Sequence, residues 1–267
     1  MSNNKNNVST GKPRVGGAAF IAPTGSALPT NAFAALAAAF AGLGYCSEDG
    51  LKNNGAITTE KVKAWGGDVV MNPQTEKSDE FKITLIESMN TNVLKTVFGD
   101  SNVSGSLANG LTVTANSLEL EEHVWVFDMI MKGNILKRVV IPCGKVTTVD
   151  EVTYDDKSAI AYALTIAAMP DASGNTHYEY MKDPAIPGIT LDKQIAEIAD
   201  GNTLTLTASP FPADATVTWA SSDTDVATVS DGTVTAVDPG VCKITASITV
   251  SAATYKAECY ITVTSAS

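Results

Sequence analysis

The sequence is poor in the residues on which most enzyme chemistry depends. Its 267 residues include two histidines, His123 and His177, and four cysteines. Neither histidine lies near a serine or cysteine nucleophile motif, and no zinc-protease, phosphate-binding or dinucleotide-binding motif is present. The cysteines form no C-x-x-C pair and have no histidine at metal-ligand spacing. The sequence therefore predicts no catalytic site, no metal and no cofactor, although absent motifs alone do not exclude an enzyme.

Positive charge and long apolar runs are also scarce. The chain has 18 Lys and Arg residues against 29 Asp and Glu residues, a formal net charge of −11. It lacks the basic patch that tight binding of nucleic-acid phosphates requires. No segment reaches the roughly 18 consecutive apolar residues of a membrane helix. The apolar run at 32–41 follows too long a basic region, interrupted by glycine and proline, to be a secretion signal. We therefore expect neither an export signal nor a membrane anchor.

What the sequence does have is a C-terminal series of alternating segments. Asp231-Gly232, a dipeptide typical of tight β-hairpin turns, separates two of them, and Pro239-Gly240 marks the next turn. The segments 241–250 and 255–264 alternate in the same way and predict two further strands.

Two cysteines fall in these last strands. A hairpin turning over 251–254 would place Cys242 opposite Val263 rather than opposite Cys259. We therefore expect two buried, reduced thiols, as in a protein made in a cytoplasm.

The order Trp219, then Asp231-Gly232-Thr233-Val234-Thr235-Ala236, then Pro239-Gly240 resembles the bacterial immunoglobulin-like domain of group 2. The resemblance covers roughly residues 187–267. It implies a small β-sandwich of the kind that binds or decorates and performs no chemistry. The main function is therefore to be sought in the first two-thirds of the chain.

Two helices are predicted in that larger part. Thr30 can cap a helix over Asn31–Ala41, whose apolar residues fall on one face. A second helix is predicted over Ser88–Phe98, with an apolar stripe and Gly99 as its end.

Strands account for most of the rest. Residues 57–71 and 80–87 are predicted to form two long strands joined by a polar loop over 72–79, and Val124–Met131 predicts a strand covered on both sides. Residues 160–167 alternate between a bulky face and a small face. The small face allows close approach of another layer, either a helix of the same subunit or a sheet of the next.

The predicted domain plan has four parts. Residues 1–17 form a flexible N-terminal arm, 18–183 form the first domain, 184–188 form a linker stiffened by two prolines, and 189–267 form the immunoglobulin-like domain.

A set of segments in the first domain occurs in a distinctive order. They are Ala22–Thr30, Phe40–Leu51, Lys63–Asp68, Phe81–Glu87, Arg138–Pro142 and Met169–Asp171. In this order they resemble the major tail tube protein of lambda-like bacteriophages with long, non-contractile tails (siphoviruses), over most of residues 18–182. Some relatives carry the same kind of immunoglobulin-like module at the C-terminus.

The resemblance implies a mainly β fold: a tail-tube β-sandwich or barrel domain with a flanking α-helix, followed by an immunoglobulin-like β-sandwich. It implies a structural virion protein that forms stacked hexameric rings, through which DNA passes into the host without specific binding. The implied partners are further copies and the tail tip, terminator and tape measure proteins. Assembly would take place in the host bacterial cytoplasm, and the C-terminal domain would project outward and touch cell surfaces weakly.

Within this reading we expect the solvated face of the two long strands to line the lumen, because a basic lumen would hold the DNA phosphates. The candidate lumen residues are Glu60, Asp68, Glu80 and Glu87. The N-terminal arm and the Tyr45–Gly55 segment are expected to join stacked rings. The candidate ring-to-ring contacts are Phe20, Tyr45 and Leu51.

Two other functions stay open. A cell-surface or secreted adhesin-type binding protein would share the immunoglobulin-like domain but would need an export signal or wall anchor. An enzyme with an appended binding domain would need a catalytic constellation. Assembly distinguishes the first of these from a tube protein, because an adhesin stays monomeric and binds a glycan or protein.

Overall fold

A computed structural model describes residues 3–265, which divide into two compact units. The first comprises residues up to Pro29 with Leu36–Lys132 and Leu136–Met181. The second comprises Thr30–Ala35, Gly133–Ile135 and the residues from Lys182 onward. Both units are built mainly from strands, which confirms the predicted fold class.

The first unit is organised around a nine-stranded sheet. The strands in this part of the chain, including four outside the sheet, are β1 (Gly11–Pro13), β2 (Ala19–Pro23), β3 (Ala41–Gly42), β4 (Lys52–Thr59), β5 (Val62–Lys63), β6 (Val69–Met71), β7 (Gln74–Leu85), β8 (Val103–Ser106), β9 (Gly110–Val113), β10 (Glu122–Met131), β11 (Leu136–Val149), β12 (Tyr162–Met169) and β13 (Tyr178–Lys182). Seven of them follow the order β3-β2-β10-β11-β12-β7-β4 through antiparallel pairs, while β1 pairs with β10 and β13 pairs with β11. The pairs β5–β6 and β8–β9 form two-stranded sheets of their own, and β5–β6 lies within the segment that connects the paired strands β4 and β7.

The core lies on one side of this sheet. Tyr162, Leu164 and Ile166 alternate along β12 and are buried in one large apolar cluster. The single α-helix of the described residues, α1 (Thr91–Phe98), packs Val93 and Leu94 into the same cluster. Helix and sheet therefore form two layers around the bulky side of β12.

The predicted helix over Ser88–Phe98 is confirmed, although it begins at Thr91. The side chain of Asn90 caps it by accepting the N–H of Asn92, and the helix ends at Gly99. Residues 88–90 stay outside because the cap residue has an extended backbone.

The predicted helix over Asn31–Ala41 is wrong. The segment consists of bends and turns until β3 begins at Ala41. Asn31 Oδ1 does accept the N–H groups of Phe33 and Ala34, as a helix cap would. However, Phe33 packs edge-to-face on Phe211 in the second unit, while Leu36 and Phe40 join an apolar cluster of the first. A short helix needs one continuous buried face, and these residues do not provide one.

The single strand predicted over 57–71 is also wrong. The segment contains the end of β4, then β5, a turn through Gly66 and Gly67, and β6. Both glycines have positive φ values, +116° and +101°, which most other residues avoid. The loop predicted over 72–79 mostly belongs to β7, which begins at Gln74. A hairpin thus replaces the long strand.

The N-terminal arm has regular structure in its own chain. Gly11–Pro13 pair antiparallel with Met129–Met131 at the end of β10. A short 3-10 turn covers Lys5–Asn7, and two others cover Asp100–Asn102 and Lys132–Asn134.

The second unit is a set of small sheets. Its strands are β14 (Gly188–Leu191), β15 (Ile195–Ala199), β16 (Thr203–Thr205), β17 (Ala208–Phe211), β18 (Thr218–Ser221), β19 (Ala227–Ser230), β20 (Thr233–Ala236), β21 (Gly240–Val250) and β22 (Ala253–Thr264). They form the sheets β15-β22-β21-β18, β16-β20-β19 and β14-β17. Asp231 and Gly232 form the turn between β19 and β20, as predicted, with φ values of 47° and 82°.

The last hairpin is tighter than its sequence predicts. Val250 pairs with Ala253 across a two-residue turn, so Cys242 lies opposite Ile261 instead of Val263. Cys242 and Cys259 are therefore diagonal neighbours on adjacent strands, and both are buried. All four cysteines are free thiols.

Candidate functional site

The large sheet has a second side that faces away from the core. At β10 this side is covered by a smaller apolar cluster that includes Val124 and Val126. In the residues that the structure describes, no such cluster covers this side of β12, β7 and β4. We call this region the open face. Its residues are Ala163, Thr165 and Ala167 of β12, Glu80, Lys82 and Thr84 of β7, and Lys52, Asn54 and Ala56 of β4.

Small and polar side chains make up the open face, and its charges are of both signs. Thr165 lies opposite Lys82, and Lys82 lies opposite Lys52. The Lys52 Nζ atom is 3.2 Å from Asp49 Oδ1, so one of the two facing lysines is paired with a carboxylate. A depression of about 240 Å³ is lined by both lysines, Asp49 and Asp150. The face is polar and close to neutral, and it carries no cluster of arginine or lysine alone.

The four candidate lumen carboxylates lie in different parts of the first unit. Glu80 is on the open face. Glu60 follows β4 and Asp68 precedes β6, and both are exposed. Glu87 lies beyond β7, where its Oε1 atom accepts the N–H of Tyr45 at 2.9 Å and its Oε2 atom accepts from Asn90 Nδ2 at 3.0 Å. The sequence pattern therefore grouped residues that the fold separates.

The three candidate ring-to-ring residues differ in exposure. The side chain of Tyr45 is 77% exposed. Phe20 is half-buried in β2, where it packs against the smaller apolar cluster. Leu51 is half-buried against the main core. Of the three, Tyr45 has the most surface free to meet a partner.

A cluster around Asp79 joins the hairpin to the rest of the sheet. The Asp79 carboxylate accepts hydrogen bonds from Asn53 Nδ2 at 2.6 Å and from Thr176 Oγ1 at 2.7 Å, and it lies 2.5 Å from His177 Nδ1. Burial acts to raise the pKa of Asp79, but these hydrogen bonds outweigh it and lower the pKa below its usual value. Asp79 therefore connects β7 to β4 and to the segment before β13 through hydrogen bonds. The sequence analysis missed this contact.

The thiols are not arranged for catalysis. Burial and the nearby charge of Glu87 raise the pKa of Cys46 to about 11. Burial and Glu122 do the same for Cys143. Burial also raises the pKa values of Cys242 and Cys259. Each therefore stays protonated near neutral pH, whereas the thiolate is the nucleophile.

Residues 3–265 contain no group of three or more His, Cys, Asp or Glu side chains that could hold a metal ion. No helix among them is long and apolar enough to cross a membrane.

Comparison with protein families agrees with the fold. A family model described as phage tail tube protein matches residues 1–189. The chain belongs to the phage tail tube protein family. A second model, described as bacterial Ig-like domain (group 2), matches residues 185–259. No curated protein matches the chain. The tail tube family indicates a structural component of the virion tail with a non-enzymatic role, and the chain adds an immunoglobulin-like domain to it.

One feature of this tail tube protein was not recognised from the sequence. The hairpin between Ala56 and Ser78, here called the hairpin tip, carries a row of exposed apolar side chains. They are Ile57, Val62, Trp65, Val69, Val70 and Met71. Trp65 is fully exposed at the turn. Exposed apolar groups concentrated in one element mark contacts with a partner. The signal was available in the sequence, as a tryptophan followed by two glycines.

Proposed function

We propose that this protein is the major subunit of a phage tail tube and that its copies close into hexameric rings stacked around a channel for DNA. The open face is the observation that carries this proposal. A sheet sealed on one side by a core and a helix, and polar on the other side, suits a wall between packed protein and a water-filled lumen.

Ring closure follows from the edge of the sheet. Within residues 3–265, β4 ends the strand order and pairs with β7 only, and all eight of its residues are exposed. An exposed edge strand presents unpaired N–H and C=O groups and readily pairs with another chain. Pairing between copies removes this edge, and a head-to-tail contact that closes gives a ring.

The charge of the open face supports passage of DNA. A basic lumen would neutralise phosphates and hold the duplex. Lys52 and Lys82 have Asp49 and Glu80 near them, which keeps the face close to neutral. In this proposal Glu80 is a lumen residue, with Glu60, Asp68 and Glu87 as further candidates.

The contacts between stacked rings involve three parts of the first unit in this proposal. We assign them to the N-terminal arm, to Phe20, Tyr45 and Leu51, and to the hairpin tip with Trp65. Burial of the apolar side chains of the tip against a second copy would supply the stabilisation that they lack in the monomer.

The remaining parts of the proposal concern the wider assembly. We propose the division into an arm (1–17), a tube domain (18–183), a linker (184–188) and an immunoglobulin-like domain (189–267) that projects outward and touches cell surfaces weakly. We further propose that the subunit assembles in the host cytoplasm with tail tip, terminator and tape measure proteins.

Sedimentation and negative-stain electron microscopy of the concentrated protein test the proposal. Stacked rings with a central channel are the expected result. The immunoglobulin-like domain also favours a second candidate, an adhesin-type binding protein. Monomers that bind a glycan or protein and never assemble, even with tail-tip proteins added, would support that candidate and contradict the tube.

A charge variant tests the lumen. Glu80→Lys adds positive charge to the open face, whereas Glu80→Gln removes charge without adding any. Tubes of the Lys variant should slow DNA delivery into cells, and tubes of the Gln variant should not. Equal delivery by both variants would remove Glu80 from the lumen.

A further inference from the structure

The described part of the N-terminal arm, residues 3–17, is held to its own chain by few contacts. Three residues pair with β10, namely Gly11 with Met131, Lys12 with Ile130 and Pro13 with Met129. Ser9 Oγ accepts the N–H of Lys132 at 2.8 Å. None of the arm's side chains is buried, and Val15 is 93% exposed. Backbone hydrogen bonds, without apolar burial, therefore hold the arm.

The one ion pair of the arm is redundant. Arg14 Nη1 lies 3.3 Å from Asp128 Oδ2. The Asp128 carboxylate already has a closer partner, because Arg138 contacts it through Nε at 2.6 Å and Nη2 at 2.8 Å. Asp128 and Arg138 are both buried. Removing Arg14 thus leaves the buried Asp128 carboxylate paired with Arg138.

A flexible joint lies between the arm and the sheet. Gly16 and Gly17 have φ values of +96° and +135°, and Ala19 at the start of β2 is fully buried. Two successive glycines accept large backbone changes at little cost. The arm can therefore swing about this joint while β2 stays in place.

Departure of the arm would expose the edge of β10 at Met129–Met131. An open edge favours pairing with another strand. The arm of a second copy offers the same hydrogen bonds and the same arginine, so exchange between identical chains changes few contacts. The pairing residues Gly11–Pro13 lie four to six residues from Gly17, a reach of about 13–20 Å, so the arm can reach a neighbour whose β10 lies beside the joint.

We propose that, in the assembled protein, the N-terminal arm leaves its own sheet and pairs with β10 and Asp128 of a neighbouring copy. The occupant of this edge is thus a named segment of the same protein. Assembly favours the exchange because it holds the neighbour's edge at high effective concentration. The inference rests on the proposed function in so far as it requires copies held together.

Mixed cysteine variants test the exchange. Lys12 and Ile130 lie directly opposite in the β1–β10 pair, at a spacing that permits a disulfide. Lys12→Cys protein is mixed with Ile130→Cys protein, assembled and mildly oxidised, and the chains are separated without reductant. Exchange predicts a two-chain band that is about tenfold or more stronger in assemblies than in unassembled protein.

Two controls fix the interpretation. The double variant Lys12→Cys, Ile130→Cys should form an internal disulfide as a monomer, which shows that the pair can react. Lys12→Cys mixed with Thr112→Cys, an exposed position on β9, measures chance cross-linking.

The outcomes separate the two proposals. In assemblies of the double variant, exchange predicts ladders of linked chains. If assemblies form but the double variant links only within chains, and the mixture gives no band above the Thr112 control, the exchange is wrong and the tube stands. If the unmodified protein does not assemble under any condition, the tube is wrong, and the exchange fails with it.

Discussion

The two ends of one hairpin behave in opposite ways. At its base, which comprises Lys52–Gly55 and Asp79–Leu85, the β7 residues Phe81, Ile83 and Leu85 are buried. At its tip, residues 56–78, apolar residues such as Ile57 and Trp65 are exposed. Both ends belong to the same antiparallel β4–β7 hairpin. The base packs against β12 and α1, whereas no second layer from the described part of the chain covers the apolar residues of the tip. An apolar strand residue therefore stabilises the monomer only where another layer covers it.

The largest loss of monomer stability is expected from a substitution at the base of the hairpin. Phe81→Ala removes a buried ring from the main core, so the free energy of unfolding should fall by about 4 kcal/mol. Urea unfolding of the monomer, followed by circular dichroism, measures the loss. A fall below about 1 kcal/mol would show that this end of the hairpin is not part of the cooperative core.

An intermediate loss of monomer stability is expected from a substitution where the base of the hairpin meets its tip. Asp79→Asn weakens the hydrogen bonds from Asn53, Thr176 and His177, so we expect a loss of about 2 kcal/mol at pH 7. Because the folded pKa of Asp79 is lowered, its stabilising contribution is complete above its unfolded pKa of about 4. The contribution declines as the pH falls through the lower, folded pKa.

Unfolding of both proteins in urea at pH 7 and at pH 3 checks this sign. The difference between wild type and Asp79→Asn should be smaller at pH 3. Glu76→Gln, which removes a carboxylate at an exposed site of the same strand, is the matched control and should change little at either pH. An equal difference at the two pH values would assign the loss to packing rather than to the charge.

The smallest effect on monomer stability is expected at the tip. Trp65→Ser should change the free energy of unfolding by no more than about 0.5 kcal/mol, because the side chain is already in water. Assembly should nevertheless weaken, which a higher critical concentration for sedimenting polymers would reveal. If Trp65→Ser destabilised the monomer as much as Phe81→Ala does, the contrast between base and tip would disappear.

Sequence reasoning succeeded where local pattern and tertiary packing agreed. The stripe of α1 and its end at Gly99 predicted a helix that the core then buries. It failed over Asn31–Ala41 because Phe33 and Phe40 pack in different clusters, which no local pattern reveals. It also placed the last hairpin turn over 251–254, whereas the turn comprises only Ser251 and Ala252, two non-glycine residues with positive φ.

The candidate site was predictable only in part. The small side of β12, with Ala163, Thr165 and Ala167, was visible as alternation. The pattern did not reveal whether a helix covers this small side, because that depends on the side of the sheet against which α1 packs. The lumen carboxylates were grouped by position in the chain, but Glu60 follows the end of β4 and Asp68 follows the turn at Gly66-Gly67, so both lie outside the strands of the open face.

The central claim is that the open face lines the channel of a tube. A cryo-electron microscopy reconstruction of assembled tubes tests it most directly, because the first unit can be fitted and its orientation read. We predict that Thr165, Lys82 and Lys52 point into the channel and that α1 lies on the outside of the wall. A reconstruction with α1 facing the channel, and the open face buried or facing outward, would contradict the account.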